Sequence, residues 1–430
     1  MGDREWEARE RLMGMSGLRK GRRAFLMQAS AGAVGIGGIA ALGVEAQELT
    51  TMPPWMGRIG AGFRGYGSPS KFEERTQRTF TLGLPQLAPG TGASFTPLQA
   101  LQGTITPSGL HFERHHNGVP DIDPAQHRLA IHGLVRRPLV FSYAALKQYP
   151  MVSRVYFIEC AGNSGRNAVS PEPGQASAGA LHGLISNSEW TGVPLRVLLE
   201  EAGVDPTGKW LLAEGADAAA MSRSIPLDKA LDDTMVALYQ NGEPIRPEQG
   251  YPIRLVLPGW EGNMSVKWLR RIKVTTGPTH TRDETSRYTD PLADGTARQF
   301  TFQMEVKSVI TYPSFGVPLA RRGMHQISGL AWSGAGKVRT VEISVDGGNS
   351  WRMAQFDAEP TSKAVVRFRL PWEWNGEAVT IMSRATDERG AVQPTRATFK
   401  AAYAVDNRFH NNAIQSWAIA ADGSARNVYV

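Results

Sequence analysis

The chain has 430 residues, 47 of them Lys or Arg and 40 Asp or Glu, with a formal charge of +7 and 41% hydrophobic residues. That length suits two or three domains with ample core, and so modest a positive balance excludes the basic footprint of a nucleic-acid-binding protein. A single cysteine, Cys160, excludes an internal disulfide, a paired-cysteine zinc site, an iron–sulfur cluster and a covalently attached c-type haem.

Arg19, Lys20, Arg22 and Arg23 precede a weakly apolar stretch from Ala24 to Leu42, interrupted by Gly32, Gly35, Gly37 and Gly38. Val44-Glu45-Ala46 places small residues where a signal peptidase requires them, and the arginine pair ahead of Ala24-Phe25-Leu26 is similar to a twin-arginine export signal. So glycine-rich a stretch makes a poor membrane span. Residues 1–46 are therefore expected to be a leader cleaved after Ala46, leaving a periplasmic protein with no membrane span. Seven basic and five acidic residues fall in that leader, so the remainder carries 40 basic against 35 acidic residues, a charge of +5. With no second cysteine to pair with in an oxidising compartment, Cys160 is expected to be buried or metal-bound.

Residues 47–105, rich in Gly, Pro and Thr with little periodicity, read as an extended arm. In residues 106–276, Arg128–Val135 and Arg154–Ile158 alternate like strands. Pro194–Ala202 ending at Gly203 reads as a short capped helix, and Ile253–Leu257, stopped by Pro258-Gly259, as a strand. No Gly-x-Gly-x-x-Gly follows a strand, which argues against a nicotinamide-binding unit. After a linker at 277–302, Val341–Val345, Ala364–Leu370 and Ala378–Ser383 alternate with no helix between them. Short strands at that spacing predict a β-sandwich of immunoglobulin type. It starts at about Gln303, with a C-terminal tail packing back along the molecule to residue 430.

Cys160 follows the apolar run Val155–Ile158 and opens Ala161-Gly162-Asn163-Ser164-Gly165, where the backbone can turn sharply and a ligand approach. Taken alone, such a cysteine is a buried structural thiol, a nucleophile or one thiolate ligand to a soft metal. The segment Glu159-Cys160-Ala161-Gly162-Asn163 resembles the molybdenum sulfite oxidase family, in which a segment of this kind carries the thiolate that binds molybdenum. The resemblance runs from about residue 106 onward, on five separated segments in order. It implies an α+β molybdopterin-binding domain of the sulfite oxidase fold followed by an all-β immunoglobulin-like sandwich. It also implies a molybdenum–molybdopterin cofactor with Cys160 as metal ligand.

Residue by residue, Phe112-Glu113-Arg114-His115-His116 resembles the aromatic-x-Arg-Asn-His segment that opens the family's pterin pocket, with His115 in place of Asn. Arg114 would then lie by the metal's oxo groups, where a cation stabilises an oxyanion. Asp217, in Glu214-Gly215-Ala216-Asp217, matches an aspartate that takes pterin N–H donors. The resemblance assigns Gln249 (often His in the family) and Arg254 to the cofactor's phosphate side. Ser265, Val266 and Lys267 it assigns to the pterin and phosphate, through backbone and ammonium donors, and Tyr288 to the active site.

Three positions depart from the family's free-sulfite oxidases. Its substrate-pocket Trp falls at Ala180, its second substrate Arg near Ser416, and its Arg-Arg after the cysteine at Ser164-Gly165, leaving Arg166 one place on. The pocket is expected to be wider in consequence. With Glu189–Val193, Arg246–Gly250, Pro258–Asn263 and Asn411–Trp417, these departures resemble the sulfane dehydrogenase C subunits of Sox thiosulfate-oxidising systems. That resemblance implies a sulfane sulfur on a carrier protein as substrate, oxidised with oxygen from water. It also implies a heterotetramer with a dihaem c-type cytochrome subunit, and no haem on this chain. A free-sulfite dehydrogenase on the same scaffold is the alternative expectation.

Overall fold

The computed structural model describes Met56, Ile59, Gly62 and residues 65–73, 76–81, 89–169, 173–403 and 409–428. The chain divides into two units, Met1–Pro69 and Ser70–Val430, and the architecture below is that of the second. The expected leader lies outside the described residues. Among those residues no helix is long and apolar enough to cross a membrane.

Three sheets build the first domain. Strands β1 (Thr79–Thr81), β2 (Gly92–Phe95) and β3 (Glu113–His115) pair antiparallel, with Gly92 opposite His115 and Ala93 opposite Arg114. A second sheet runs in the order β11 (Glu243–Pro244), β10 (Met235–Gln240), β7 (Ile185–Pro194) and β6 (Val152–Glu159), with β12 (Arg254–Val256) also on β10. The third is ordered β5 (Leu139–Ser142), β4 (Arg128–Gly133), β13 (Leu269–Thr275), β8 (Trp210–Gly215) and β9 (Ser222–Pro226). Only its β4–β13 pair is parallel. The helix Leu195–Ala202 forms because Leu195, Leu198, Leu199 and Ala202 recur at helical spacing and are all buried. It stops at Gly203, whose φ of 68° lets its N–H turn back to the carbonyls of Leu199 and Glu200.

The second domain is the expected two-sheet sandwich. One sheet runs β16 (Lys307–Tyr312), β17 (Gly323–Trp332), β21 (Val366–Trp374) and β20 (Gln355–Phe356). The other runs β19 (Arg352–Met353), β18 (Val338–Ser344), β22 (Val379–Asp387), β23 (Ser416–Ile419) and β24 (Ala425–Val428). Phe368, Trp372, Trp374 and Trp417 fill the space between them.

Three expectations change. Residues 92–95 are a strand with Ser94 and Phe95 buried, not arm. Four residues paired on both sides are too few to show a period. The 277–302 linker holds the helix Arg282–Ser286 and a hairpin of β14 (Thr289–Pro291) and β15 (Ala297–Gln299). The C-terminal tail packs back and also contributes β23 and β24 to the sandwich.

The two domains are joined without slack. Glu261 N–H donates to Phe302 O at 2.8 Å, and Met304 N–H to Gly259 O at 3.0 Å. Gly259 has φ +78°, and a Cβ there would meet Gly334 O at 2.3 Å, so only glycine permits this approach.

Candidate active site

β6 ends in Phe157, Ile158 and Glu159, all buried, and the chain then turns tightly. Cys160 N–H donates to Leu184 O at 2.9 Å and Asn163 N–H to Cys160 O at 2.9 Å. Asn163 Oδ1 accepts the backbone N–H groups of Ser164 (3.1 Å) and Leu184 (3.2 Å), and Ser164 sits at φ 66°. These local bonds are why Asn and Ser occupy the turn. Behind it, Glu159 is clamped: Oε1 accepts from Asn163 Nδ2 (2.9 Å) and pairs with Lys307 Nζ (3.3 Å), and Oε2 accepts from Trp332 Nε1 (2.6 Å). Lys307 and Trp332 belong to the sandwich, so the second domain holds the cysteine's strand in place.

The half-buried Cys160 thiol faces a cleft of about 680 Å³. Every residue expected at the site lines that cleft except Glu113. Side chains alternate along a strand, so Glu113 shares a face with His115. There its carboxylate pairs with Arg78 and accepts from His115 Nε2 at 2.8 Å. Glu113 therefore positions His115 and does not touch the cleft. Since Nε2 donates to a carboxylate, His115 Nδ1 is free to accept from Lys267 Nζ at 2.8 Å. Burial and the Lys267 charge hold the imidazole's pKa down, in keeping with that neutral form.

Three cations, Arg114, Arg254 and Lys267, line the cleft against one carboxylate, Asp217. None of the three forms an ion pair with a carboxylate among the described residues. Arg254 is buried over the Trp190 ring at 5.0 Å and donates to the carbonyls of Gln249 and Ser265, both at 2.9 Å. Burial pushes its pKa down to about 9, and drives that of Lys267 well below the usual lysine value, with Arg254 adding to it. Buried cations without counter-charge are costly, so the cleft is built for an anion.

The donors expected to reach that anion are largely engaged by the chain itself. Lys267 Nζ bonds Arg114 O (3.3 Å), His115 Nδ1 (2.8 Å) and Glu248 O (3.1 Å), which uses all three of its N–H groups. Ser265 and Val266 N–H close the turn onto Gly262 O (3.2 Å) and Met264 O (3.0 Å). Ser265 Oγ accepts from Leu257 N–H at 3.1 Å. Lys267 thus contributes charge and Ser265–Val266 contribute shape. Open to a ligand are the unsatisfied Asn263 Nδ2, His111 Nε2 and His116 Nε2. Asp217 keeps acceptor capacity beyond the Met221 N–H that it takes at 3.2 Å.

At the cysteine's end, burial raises the pKa of both Cys160 and Tyr288, and the nearby Cys160 raises that of Tyr288 further. The Tyr288 phenol is therefore a proton donor, stacked under the Arg223 guanidinium at 5.0 Å. Arg223 belongs to a buried charge cluster. It pairs with Glu261 Oε1 at 2.8 Å and Glu284 Oε1 at 3.5 Å, and donates to Asn263 Oδ1. His410 Nδ1 donates to Asp290 Oδ2 at 2.8 Å, and its Nε2 faces Glu261 Oε2 at 3.4 Å, an ion pair not aligned for a hydrogen bond. His410 N–H also donates to Ala161 O at 2.8 Å, beside the cysteine. In the sequence this cluster is scattered over the Pro258–Asn263 segment, which holds Glu261 and Asn263, and the polar tail from His410.

The departures from the family settle elsewhere. Ala180 and Arg166 line a separate, more open groove of about 1260 Å³, with Arg166 Nη1 donating to Ala180 O at 3.1 Å. Ser416 lies in β23, opposite Met382 and Val428, and is not part of the cleft. From the tail it is His410, not Ser416, that bonds the backbone beside the cysteine.

His410 makes folding stability depend on pH. Burial opposes its charge, but Asp290 and Glu261 outweigh that and push its pKa from 6.5 up to about 9. A raised folded pKa contributes stability that is fully present below about pH 6.5 and lost as pH rises through about 9. The shift is worth about 3 kcal/mol. The gap in urea stability between wild type and His410→Gln should be widest below pH 6.5 and close by about that amount in alkali. A gap that stays constant across the range would remove the charge from His410.

Fold and cleft together fit a molybdopterin. There is one soft thiolate donor, a carboxylate able to take pterin N–H groups and a cationic wall for its phosphate. Among the described residues no group of three or more His, Cys, Asp or Glu could hold a metal by itself. Residues 116–282 match the oxidoreductase molybdopterin binding domain and residues 298–417 the Mo-co oxidoreductase dimerisation domain, so the class is a molybdopterin oxidoreductase. The chain is 30% identical to chicken (Gallus gallus) sulfite oxidase over 321 residues, 67% of this chain and 68% of that protein. It is 32% identical to tomato (Solanum lycopersicum) nitrate reductase over 345 residues, 70% of this chain but only 37% of that protein. It spans 58% of the mouse (Mus musculus) mitochondrial sulfite oxidase. Its structure superposes on the sulfane dehydrogenase SoxCD of Paracoccus pantotrophus with a TM-score of 0.86 and 45% identity, over 90% of this chain and all of that one. The chain belongs to the sulfite oxidase family.

Proposed function

We propose that this chain is the molybdenum-binding catalytic subunit of a periplasmic sulfane dehydrogenase. It would oxidise sulfane sulfur held on a carrier protein and pass electrons to a dihaem c-type cytochrome subunit in a heterotetramer, carrying no haem itself. The observation that carries the reading is the convergence of Cys160, Arg114 and Tyr288 at one end of a cation-walled cleft. The 45% identity to the SoxCD chain supports the substrate class. Export rests on the arginine pair of the leader.

A molybdenum–molybdopterin bound there would supply two-electron oxygen-atom transfer to sulfur. Each oxygen added from water releases two protons and two electrons. Cys160 would hold the metal as its one protein donor, and Asp217 would orient the pterin ring. Arg254 and Lys267 would neutralise its phosphate, while Arg114 stabilises negative charge developing at the reacting oxygen. Tyr288, kept protonated by burial, would donate a hydrogen bond to that oxygen.

Holoenzyme assayed with sulfur-loaded carrier protein and with free sulfite, each with a c-type cytochrome as acceptor, tests the assignment. Turnover of the loaded carrier with little from sulfite is the expected result. The reverse would assign the chain to free-sulfite oxidation.

A further inference from the structure

His111 is 1% exposed and lines the cleft, yet neither the family segments nor the reaction gives it a task. We propose that His111 is a further cofactor-binding residue, whose Nε2 accepts a hydrogen bond from a hydroxyl or N–H group of the bound molybdopterin. The tautomer follows from geometry. Nδ1 lies 3.0 Å from Phe112 O, and since a carbonyl oxygen only accepts, Nδ1 carries the proton and Nε2 the lone pair. The same oxygen accepts Gln249 Nε2 at 2.9 Å, while Phe112 N–H is tied to Ser186 Oγ at 3.0 Å, so the anchor cannot drift. The ring stacks on Phe112 (5.2 Å, 21°) and meets Trp190 edge-on (5.8 Å, 79°), which prevents a flip.

Nε2 is thus a fixed acceptor with no donor among the described residues. Burial first, then the charges of Arg254 and Lys267, push the ring's pKa down to about 3, so it does not become a cation. A phosphate beside those two residues is fully ionised and has no proton to give. The donor is therefore a pterin ring N–H, or a sugar hydroxyl if the pterin carries a nucleotide.

The proposal rests on the cleft holding molybdopterin, and the experiment separates the two. Holoprotein is prepared as wild type, His111→Phe and His111→Gln, and the release of fluorescent pterin is followed on warming, with molybdenum content measured in parallel. His111→Phe keeps the ring's volume and loses the acceptor, so pterin should leave about tenfold faster, equivalent to ~1.4 kcal/mol. His111→Gln presents an amide oxygen and should release at close to the wild-type rate. The mass of the released pterin narrows the donor: without a nucleotide only a ring N–H remains, and with one a sugar hydroxyl is available as well. Release from His111→Phe at the wild-type rate overturns the assignment of His111 alone. Wild-type protein carrying no pterin overturns the cofactor reading and this one with it. Should His111→Phe not fold, His111→Met fills similar volume without a strong acceptor, and the same comparison with His111→Gln decides.

Discussion

Cys160→Ser is expected to give a folded protein whose dehydrogenase activity is reduced by more than about a hundredfold, the upper end of what loss of a supporting metal partner costs. The substitution changes volume little, and beyond the Gly162 N–H, which a serine oxygen can also take, the thiol does not hold the turn. That work falls to Asn163, Ser164 and the backbone of Leu184. Stability should therefore stay within about 1 kcal/mol of wild type. What changes is the donor, because a serine hydroxyl is hard and remains protonated where a thiolate is soft. Metal analysis and activity measured on the same preparation check this. A variant with full molybdenum and full turnover would remove Cys160 from the metal and return it to the role of a buried hydrophobe.

Glu159→Ala is expected to be the most destabilising single change near the site, by about 3–5 kcal/mol. Glu159 is fully buried, and its removal strands the Lys307 ammonium, whose pKa burial already lowers, and leaves Trp332 Nε1 without its acceptor. The double variant Glu159→Gln with Lys307→Met removes both charges and should lose much less, because an apolar replacement of a buried pair is often close to neutral. Denaturant midpoints of the single and double variants measure the difference. A loss below about 1 kcal/mol for Glu159→Ala would mean that the two domains are held together elsewhere, for instance at Gly259 and Gly334.

Local pattern carried much of this architecture. The helix Leu195–Ala202 and its glycine cap follow from spacing alone, as do the alternating strands of the sandwich and the turn after β6. The cleft itself was legible only through the family words, since its walls come from β3, the loop at Asp217, the Gln249–Arg254 stretch and the turn before Lys267. No local signal links these segments. The misses share a cause. Glu113 sits inside a family word but its carboxylate is taken up by Arg78 and His115 and stays off the cleft. Ser416 was placed by counting across a tail whose register nothing local fixes. Arg223, Glu261 and His410 are polar residues that the fold buries together, and His111 is buried separately against Phe112 and Trp190. Burial gave them their chemistry, and burial is set by contacts between segments far apart in the sequence.

The stretch from His410 to Asn427 has a bearing on assembly. Ala161 O is held by His410, and Asn167 Nδ2 donates to Gln415 while its Oδ1 accepts from Asn427 Nδ2 at 2.8 Å. The loop that presents the thiol is thus braced by residues about 250 positions further along the chain. A nascent chain still being translated has the cysteine but not its brace. A metal would accordingly enter a finished site only once synthesis has passed Asn427, and a truncation that removes residues 410–427 would loosen a loop encoded about 250 codons earlier.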